Sequence, residues 1–211
     1  PIILMKFLKY IILIFVRKTS SNSPDYKDLS DEELVARIAK NNNSLLFGLL
    51  YDRFSNKVYN KCWAFVKNED EAKDLTQDIF LKLFLKLSSF KGQSKFSTWL
   101  YSFTYNFCVN YVNRDKDKRI RDVSDSIEDH DYYLSNMEDV DEQELFSLKA
   151  SKLDQALDLI DPEDKAILLL KYQDDVSVKD LGTYFNAGES AIKMRLKRAK
   201  IKVLEAHNNI K

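Results

Sequence analysis

The chain predicts an all-α fold: two small helical domains joined by a flexible acidic linker. Three observations carry that expectation. Only 4 Gly and 3 Pro occur in 211 residues, so few turns are encoded and helices are favoured over sheets. Apolar residues recur at spacings of three and four over long stretches, the period of a helix with one buried face. Charge is segregated, although 33 Lys and Arg balance 33 Asp and Glu overall. Residues 44–121 carry 14 basic against 8 acidic side chains, residues 122–144 carry 10 acidic and no Lys or Arg, and six of the ten residues 193–202 are basic. These blocks, rather than the whole-chain pI, point to the partners.

The elements follow in order. Ser30 and Glu33 form a capping box that opens a short helix with Leu34, Ile38 and Ala39 on one face. Asn41, Asn42 and Asn43 break it. A second helix is expected over 44–66, with Leu46, Leu49, Leu50, Phe54, Val58, Cys62 and Phe65 inward. A third, over 69–87, turns Ala72, Leu75, Ile79, Leu83 and Leu87 inward. Residues 88–95 form a loop around Gly92, and a fourth helix spans 97–114 and frays through Lys118. Residues 122–144 have weak apolar periodicity and unbroken negative charge, as a flexible linker does. Beyond it, Asp161 caps a helix, Pro162 takes its first turn, and Glu163 and Asp164 meet the helix dipole; Leu168, Leu169 and Tyr172 follow. Ser177 and Asp180 form another capping box, for a helix ending near Phe185. Asn186, Ala187 and Gly188 make a tight turn into a last helix from Glu189 to about His207. Helix, tight turn and basic helix together predict a helix-turn-helix.

The limits expected from this pattern are an N-terminal extension over 1–28, a first domain over 29–121, a linker over 122–150 and a second domain over 151–211. Residues 2–16 are apolar apart from Lys6 and Lys9. That run is shorter than the roughly 20 residues a membrane-spanning helix needs, and no small-x-small cleavage site follows. The start of the extension is read as upstream sequence translated from a misplaced start, with no stable membrane insertion.

Several residue sets invite chemistry. Asp70, Asp74 and Asp78 fall at i, i+4 and i+8 of one helix, beside Glu71, but no His joins them and no Gly-rich phosphate loop is near. Neither acid–base catalysis nor a metal is expected, and no cofactor. Because Asp74, Gln77 and Asp78 extend past the first turn, their better use is a polar partner surface. Cys62 and Cys108 lack CxxC spacing and no HxxxH occurs, so both read as packed, reduced thiols of a cytosolic protein. Phe90, Phe96, Trp99, Tyr101 and Tyr105 cannot all face one core from a loop and one helix. Taken alone, Trp99 reads as core. As a set, the aromatics suit an unpaired nucleic-acid strand, since bases stack on rings while cations meet phosphates. A base taken out of the stack would find polar edge contacts at Asn106. In the last helix, Lys193, Met194, Lys197 and Arg198 share an outward face suited to the major groove. Arg195 and Lys200 flank it and suit phosphates, and Ile192, Leu196 and Val203 turn to the core.

These residues resemble a known family. Residues 45–118 are similar to region 2 of the sigma-70 family and 157–204 to region 4, on the strings DEAKDLTQDIFLKLF, FSTWLYSFTYNF and ESAIKMRLKRAK. Two such parts with a short linker and no length for a region 3 resemble the extracytoplasmic-function (ECF) group. The resemblance implies a cytoplasmic, non-catalytic factor that binds core RNA polymerase and double-stranded and locally melted promoter DNA, with an anti-sigma factor as a further partner. It implies polymerase contacts at Asp70, Asp74, Gln77 and Asp78, on the clamp coiled coil of the largest subunit. It implies contacts to the −10 element at Phe90, Lys91, Ser94, Tyr101, Asn106, Arg114, Lys118 and Arg119. For the −35 element it implies Lys193, Met194, Arg195, Lys197, Arg198 and Lys200, with region 4 also touching the polymerase flap. The acidic linker would pass the active-site and RNA-exit channels, imitating nucleic acid. The sequence departs from the family where Ser102, Phe103 and Thr104 are uncharged, where Asp115 and Asp117 interrupt the basic helix end, and where Gly188 and Glu189 stand at the turn. The alternatives are a helix-turn-helix regulator, or a sigma-like interaction protein, that does not program polymerase.

Overall fold

The computed structural model describes residues 26, 28–41, 43–120 and 150–210. The expectations of a misplaced start before residue 26 and of a flexible linker over 122–144 lie outside the described residues. Every regular element among the described residues is helical. They form two compact units, which divide between Thr104 and Tyr105.

The first unit contains α1 (Asp31–Asn41), α2 (Ser44–Val66), α3 (Glu69–Lys86), a 3-10 turn (Leu87–Ser89) and the start of α4 (Phe96–Ile120). The Ser30–Glu33 box forms as expected: the Glu33 amide donates to Ser30 Oγ at 3.2 Å and the Ser30 amide to Glu33 Oε2 at 3.0 Å. The Ser30 hydroxyl and amide hold the Glu33 carboxyl below its ordinary value. The asparagine run ends α1 and also starts α2, because the Asn43 side chain accepts from the Leu45 and Leu46 amides. Lys67, with φ 50°, closes α2, and the Asn68 side chain then caps α3 by accepting from the Asp70 and Glu71 amides. Such side-chain oxygens satisfy helix amides that have no partner inside the helix.

The core of this unit is Leu34, Val35 and Ile38 of α1, Leu46, Phe47, Leu50, Phe54, Val58 and Cys62 of α2, Ala72, Leu75, Ile79, Phe80 and Leu83 of α3, and Phe96 and Leu100 of α4. Leu49 and Phe65, placed inward by periodicity, are only half-buried. α1 packs on α2 and on the 3-10 turn, and α2 packs along α3. An Arg53–Asp31 ion pair of 2.7 Å ties α2 to the first residue of α1.

The second unit holds α5 (Ala150–Leu159), α6 (Pro162–Leu168), a π-helical turn (Leu169–Gln173), α7 (Val178–Phe185) and α8 (Glu189–Asn209). α8 packs against α5, α6 and α7. Ala156, Ile167, Leu168, Leu170, Val176, Leu181, Ile192, Leu196, Ala199, Ile201 and Val203 fill its core. α5 was not anticipated as an element. Asp161 precedes α6 as expected, and Pro162 occupies the first turn, but the Asp161 side chain makes no capping bond. Its carboxylate instead takes a long-range partner, Lys202. The Ser177 box on α7 forms in its first half, with the Asp180 amide donating to Ser177 Oγ at 3.0 Å, while the Asp180 carboxylate accepts from the Ser177 hydroxyl rather than from its amide.

The α7–α8 turn runs through Asn186, Ala187 and Gly188, as expected. The left-handed residue is Asn186, with φ 50°, whereas Gly188 has an ordinary φ of −67°. The glycine that the turn requires is Gly182. Its carbonyl accepts from the Ala187 amide at 2.9 Å, and a Cβ on Gly182 would lie 2.8 Å from the Ala187 carbonyl oxygen. Among the described residues no helix is long and apolar enough to cross a membrane.

Candidate nucleic-acid interface

The outer side of α8 is set by what its inner side buries. Ile192, Leu196, Ala199 and Val203 follow each other at spacings of three and four and face the core. That leaves Lys193, Met194 and Arg195 exposed, and Lys197 and Arg198 half-buried. Arg195 leans back over the Phe185 ring, 5.9 Å from its centroid, within reach of a cation–π attraction. Lys200 departs from its expected role. It stands four residues after Leu196 and three before Val203, on the inner face, and is 5% exposed. Lys202 is also engaged within the unit, by Asp164 and Asp161. Partial burial works against its charge, but the two carboxylates outweigh that and raise its pKa. On the outer side of the basic run, Lys193 and Arg195 are exposed and Lys197 and Arg198 half-buried. Close by, burial pushes the Tyr184 phenol up.

In the first unit, the aromatics form two groups that meet at Phe96, whose ring also lies 5.5 Å from that of Phe54. Phe90, Phe96 and Trp99 touch one another with ring centroids 5.5–6.0 Å apart. Phe103 stacks on Trp99 at 5.8 Å and 15°. Phe96 is buried at the base of this group, while Phe90, Trp99 and Phe103 are half-buried. The assignment of Trp99 to the core is thus half met. Tyr101 belongs to the other group. It meets Phe54 of α2 at 6.5 Å, and the Lys61 ammonium sits 4.1 Å from its ring centroid. Tyr105, the first residue of the second unit, is 1% exposed.

The predicted base-binding set is only partly brought together. Phe90, Lys91 and Ser94 share one loop, whose turn needs the left-handed φ of 67° at Gly92, a conformation open to glycine. Lys91 is exposed and Ser94 half-buried. Asn106 and Arg114 are exposed on α4. Tyr101 and Asn106 lie five residues apart, about 140° around the helix, so they do not share a face. The α4 backbone continues through Lys118 and Arg119, whose side chains lie outside the described residues. Sequence reasoning passed over Phe103 as merely uncharged. Its place, four residues after Trp99 and seven after Phe96, was a readable signal of a shared face. The Lys61–Tyr101 contact between α2 and α4 had no local signal.

The polar side of α3 forms as expected. Asp70 and Asp74 are exposed, and Gln77 and Asp78 half-buried. Asp70, Asp74 and Gln77 recur at i, i+4 and i+7, one stripe along the helix. On the inner side Thr76 is buried, and its hydroxyl donates to the Ala72 carbonyl at 2.7 Å. An exposed Lys73–Glu69 pair flanks the stripe. A row of acceptors on a rigid, capped helix suits a basic or polar protein surface better than catalysis.

The model of sigma-70 region 2 matches residues 50–118, and that of sigma-70 region 4 matches residues 150–203. The chain belongs to the sigma-70 family. In this sigma factor, region 2 takes in α3, α4 and most of α2, while region 4 holds α5, α6, α7 and most of α8; α1 precedes both matches. Its relatives place it in the ECF group. The ECF RNA polymerase sigma factor SigW of Bacillus subtilis (strain 168) is 27% identical over 158 residues, 73% of this chain and 84% of that protein. The ECF RNA polymerase sigma-E factor of Haemophilus influenzae is 29% identical over 181 residues, 82% of this chain and 93% of that protein. Among solved structures, the sigma factor RpoE in complex with the anti-sigma factor NepR from Bartonella quintana is 18% identical, with a TM-score of 0.53 over 78% of this chain and 98% of that one. CnrH in complex with the cytosolic domain of CnrY, also 18% identical, gives 0.55 over 86% and 99%. These two likenesses speak for the fold of this sigma factor.

Proposed function

We propose that this chain is an ECF-type sigma factor that binds core RNA polymerase in the cytoplasm, recognises −10 and −35 promoter elements and directs transcription initiation without catalysis of its own. The observation that carries the reading is the pairing of region 2 and region 4 in one chain, in that order, with a helix-turn-helix in the second whose last helix is basic. A regulator that never joins polymerase would need only the second.

In this reading the Asp70, Asp74 and Gln77 stripe, with Asp78 beside it, meets the polymerase clamp. The Phe90 loop, with Trp99, Phe103, Asn106 and the basic end of α4, takes the melted −10 strand. Lys193, Met194, Arg195, Lys197 and Arg198 read the −35 duplex. The working division is a first domain over 29–121, a linker over 122–150 and a second domain over 151–211. A protein inhibitor of the anti-sigma kind completes the list of partners, a reading supported by the structural neighbour RpoE, which is bound to the anti-sigma factor NepR.

Run-off transcription with core polymerase on a randomised promoter library tests the proposal. Enrichment of templates sharing two spaced elements is the expected result. Wild-type protein that binds DNA but gives no polymerase-dependent transcript would overturn it and leave a stand-alone DNA-binding regulator.

A further inference from the structure

The most unexpected contact in the first unit joins its first helix to the start of α4. The Phe96 amide donates to Glu32 Oε1 at 2.9 Å, across 64 positions of sequence. The first amides of a helix have no partner inside the helix. Local sequence usually supplies an acceptor just before the helix, as Asn43 and Asn68 do for α2 and α3. At α4 the acceptor comes from α1 instead.

α1 also holds the other end of the same loop. Its buried side chains Leu34, Val35 and Ile38 belong to a helix packed on the Leu87–Ser89 turn, and the Phe90 amide follows directly by donating to the Leu87 carbonyl at 3.1 Å. Loop 90–95 is thus bracketed: α1 packs against the turn that enters it and caps the helix that leaves it. Asp31, the neighbour of Glu32, is itself held by Arg53 at 2.7 Å. The loop carries Phe90, whose ring lies 5.5 Å from both Phe96 and Trp99.

We propose that Glu32 is a positioning residue for promoter opening: by capping Phe96 it fixes the 90–95 loop and the Phe90–Trp99 surface in the conformation that receives an unpaired base. Glu32 touches no DNA in this role. The proposal rests on the functional reading above, but it has a readout of its own. A carboxylate and an amide both offer an oxygen acceptor, so Glu32→Gln keeps the capping bond while removing the charge. Glu32→Ala removes the bond.

The test uses the full chain, core polymerase and a promoter recovered from the library selection. Open-complex formation is followed on fully duplex and on premelted −10 templates, alongside exchange of the Phe96 amide in the free protein. Glu32→Ala is expected to slow opening of the duplex template by about three- to tenfold, the equivalent of a lost cap. It should speed exchange at Phe96 and leave −35 duplex binding and polymerase affinity at wild-type values. Glu32→Gln should restore both opening and amide protection. Wild-type opening in Glu32→Ala overturns the proposal, as does equal failure of both variants, which would make the carboxylate's charge the active property. Loss of −35 binding together with opening also overturns it, because the defect is then general. Failure of the wild-type protein to transcribe counts against the functional reading instead, and leaves the Phe96 exchange result to judge the cap.

Discussion

Lys202 Nζ lies 2.8 Å from Asp164 Oδ2 and 3.1 Å from Asp161 Oδ2, so a cation of the basic run is spent on the first turn of α6 rather than on DNA. Lys202→Met should therefore lower the stability of the second unit by ~0.5–1 kcal/mol, the range of a solvent-screened pair. It should leave the salt dependence of DNA binding unchanged. The carboxylates raise the lysine's pKa in the folded state. Its contribution is then complete below the ordinary lysine value of 10.5 and is lost as pH rises through the folded value. Urea midpoints of wild type and Lys202→Met should converge at strongly alkaline pH; convergence near neutrality would contradict the pairing.

Lys193 and Lys200 should separate in the same way. Lys193→Ala is expected to flatten the salt slope of −35 binding by about one unit if it meets a phosphate, or to relax one base position by about 1–3 kcal/mol if it meets a base edge. Lys200→Ala should change thermal stability and leave the salt slope alone, because the side chain is buried. Salt titrations of fluorescently labelled duplex DNA distinguish the two lysines.

Gly182→Ala should destabilise the helix-turn-helix by about 1–3 kcal/mol, as overpacking does. The new methyl would lie 2.8 Å from a backbone carbonyl that is fixed by the Asn186 turn. Gly188→Ala meets nothing within 4 Å and should cost about 0.5 kcal/mol or less. Thermal melts of the two variants should rank in that order, and equal melting temperatures would show that the turn is free to shift.

Asp74→Ala combined with Gln77→Ala should weaken core polymerase binding and leave the melting temperature unchanged. Both lie on the polar side of a helix whose apolar side packs inward. Retained polymerase affinity in a competition assay would remove this stripe from the interface.

Phe103→Ala and Asn106→Ala should spare −35 duplex binding and impair open-complex formation. Loss of a base-stacking ring costs about 1–3 kcal/mol per base. Lys193→Ala should do the reverse. Footprints that fail at the same step in all three variants would contradict this division of labour.

Much of the fold was legible because its signals are local. The Ser30–Glu33 and Ser177–Asp180 pairs each join residues three apart, and both Ser30 and Ser177 cap their helices. The inward positions of α3 follow a helical period, and Ala72, Leu75, Ile79, Leu83 and Leu87 are all buried. What escaped was set by packing between distant segments. Asp161 has the residue type of a cap, yet Lys202, 41 residues on, draws its carboxylate away. Lys200 looks like its basic neighbours until the helix is seated against the rest of the unit. Phe90 and Tyr101 seemed to be parts of one pocket because both are aromatic and near in sequence. Tyr101 instead turns to Phe54 and Lys61 on α2, and Phe96, which packs on both Phe54 and Phe90, links the two.

The reach of α1 across the first unit also bears on where that unit can be cut. The region 2 match opens at residue 50, inside α2. A fragment begun there would lack the Asp31 partner of Arg53, the acceptor for the Phe96 amide and the apolar side chains that cover the Leu87 turn. Its recognisable motif would be present and its framework incomplete. The smallest piece able to hold the aromatic loop in shape therefore starts no later than Ser30, some twenty positions before family likeness alone would place its edge.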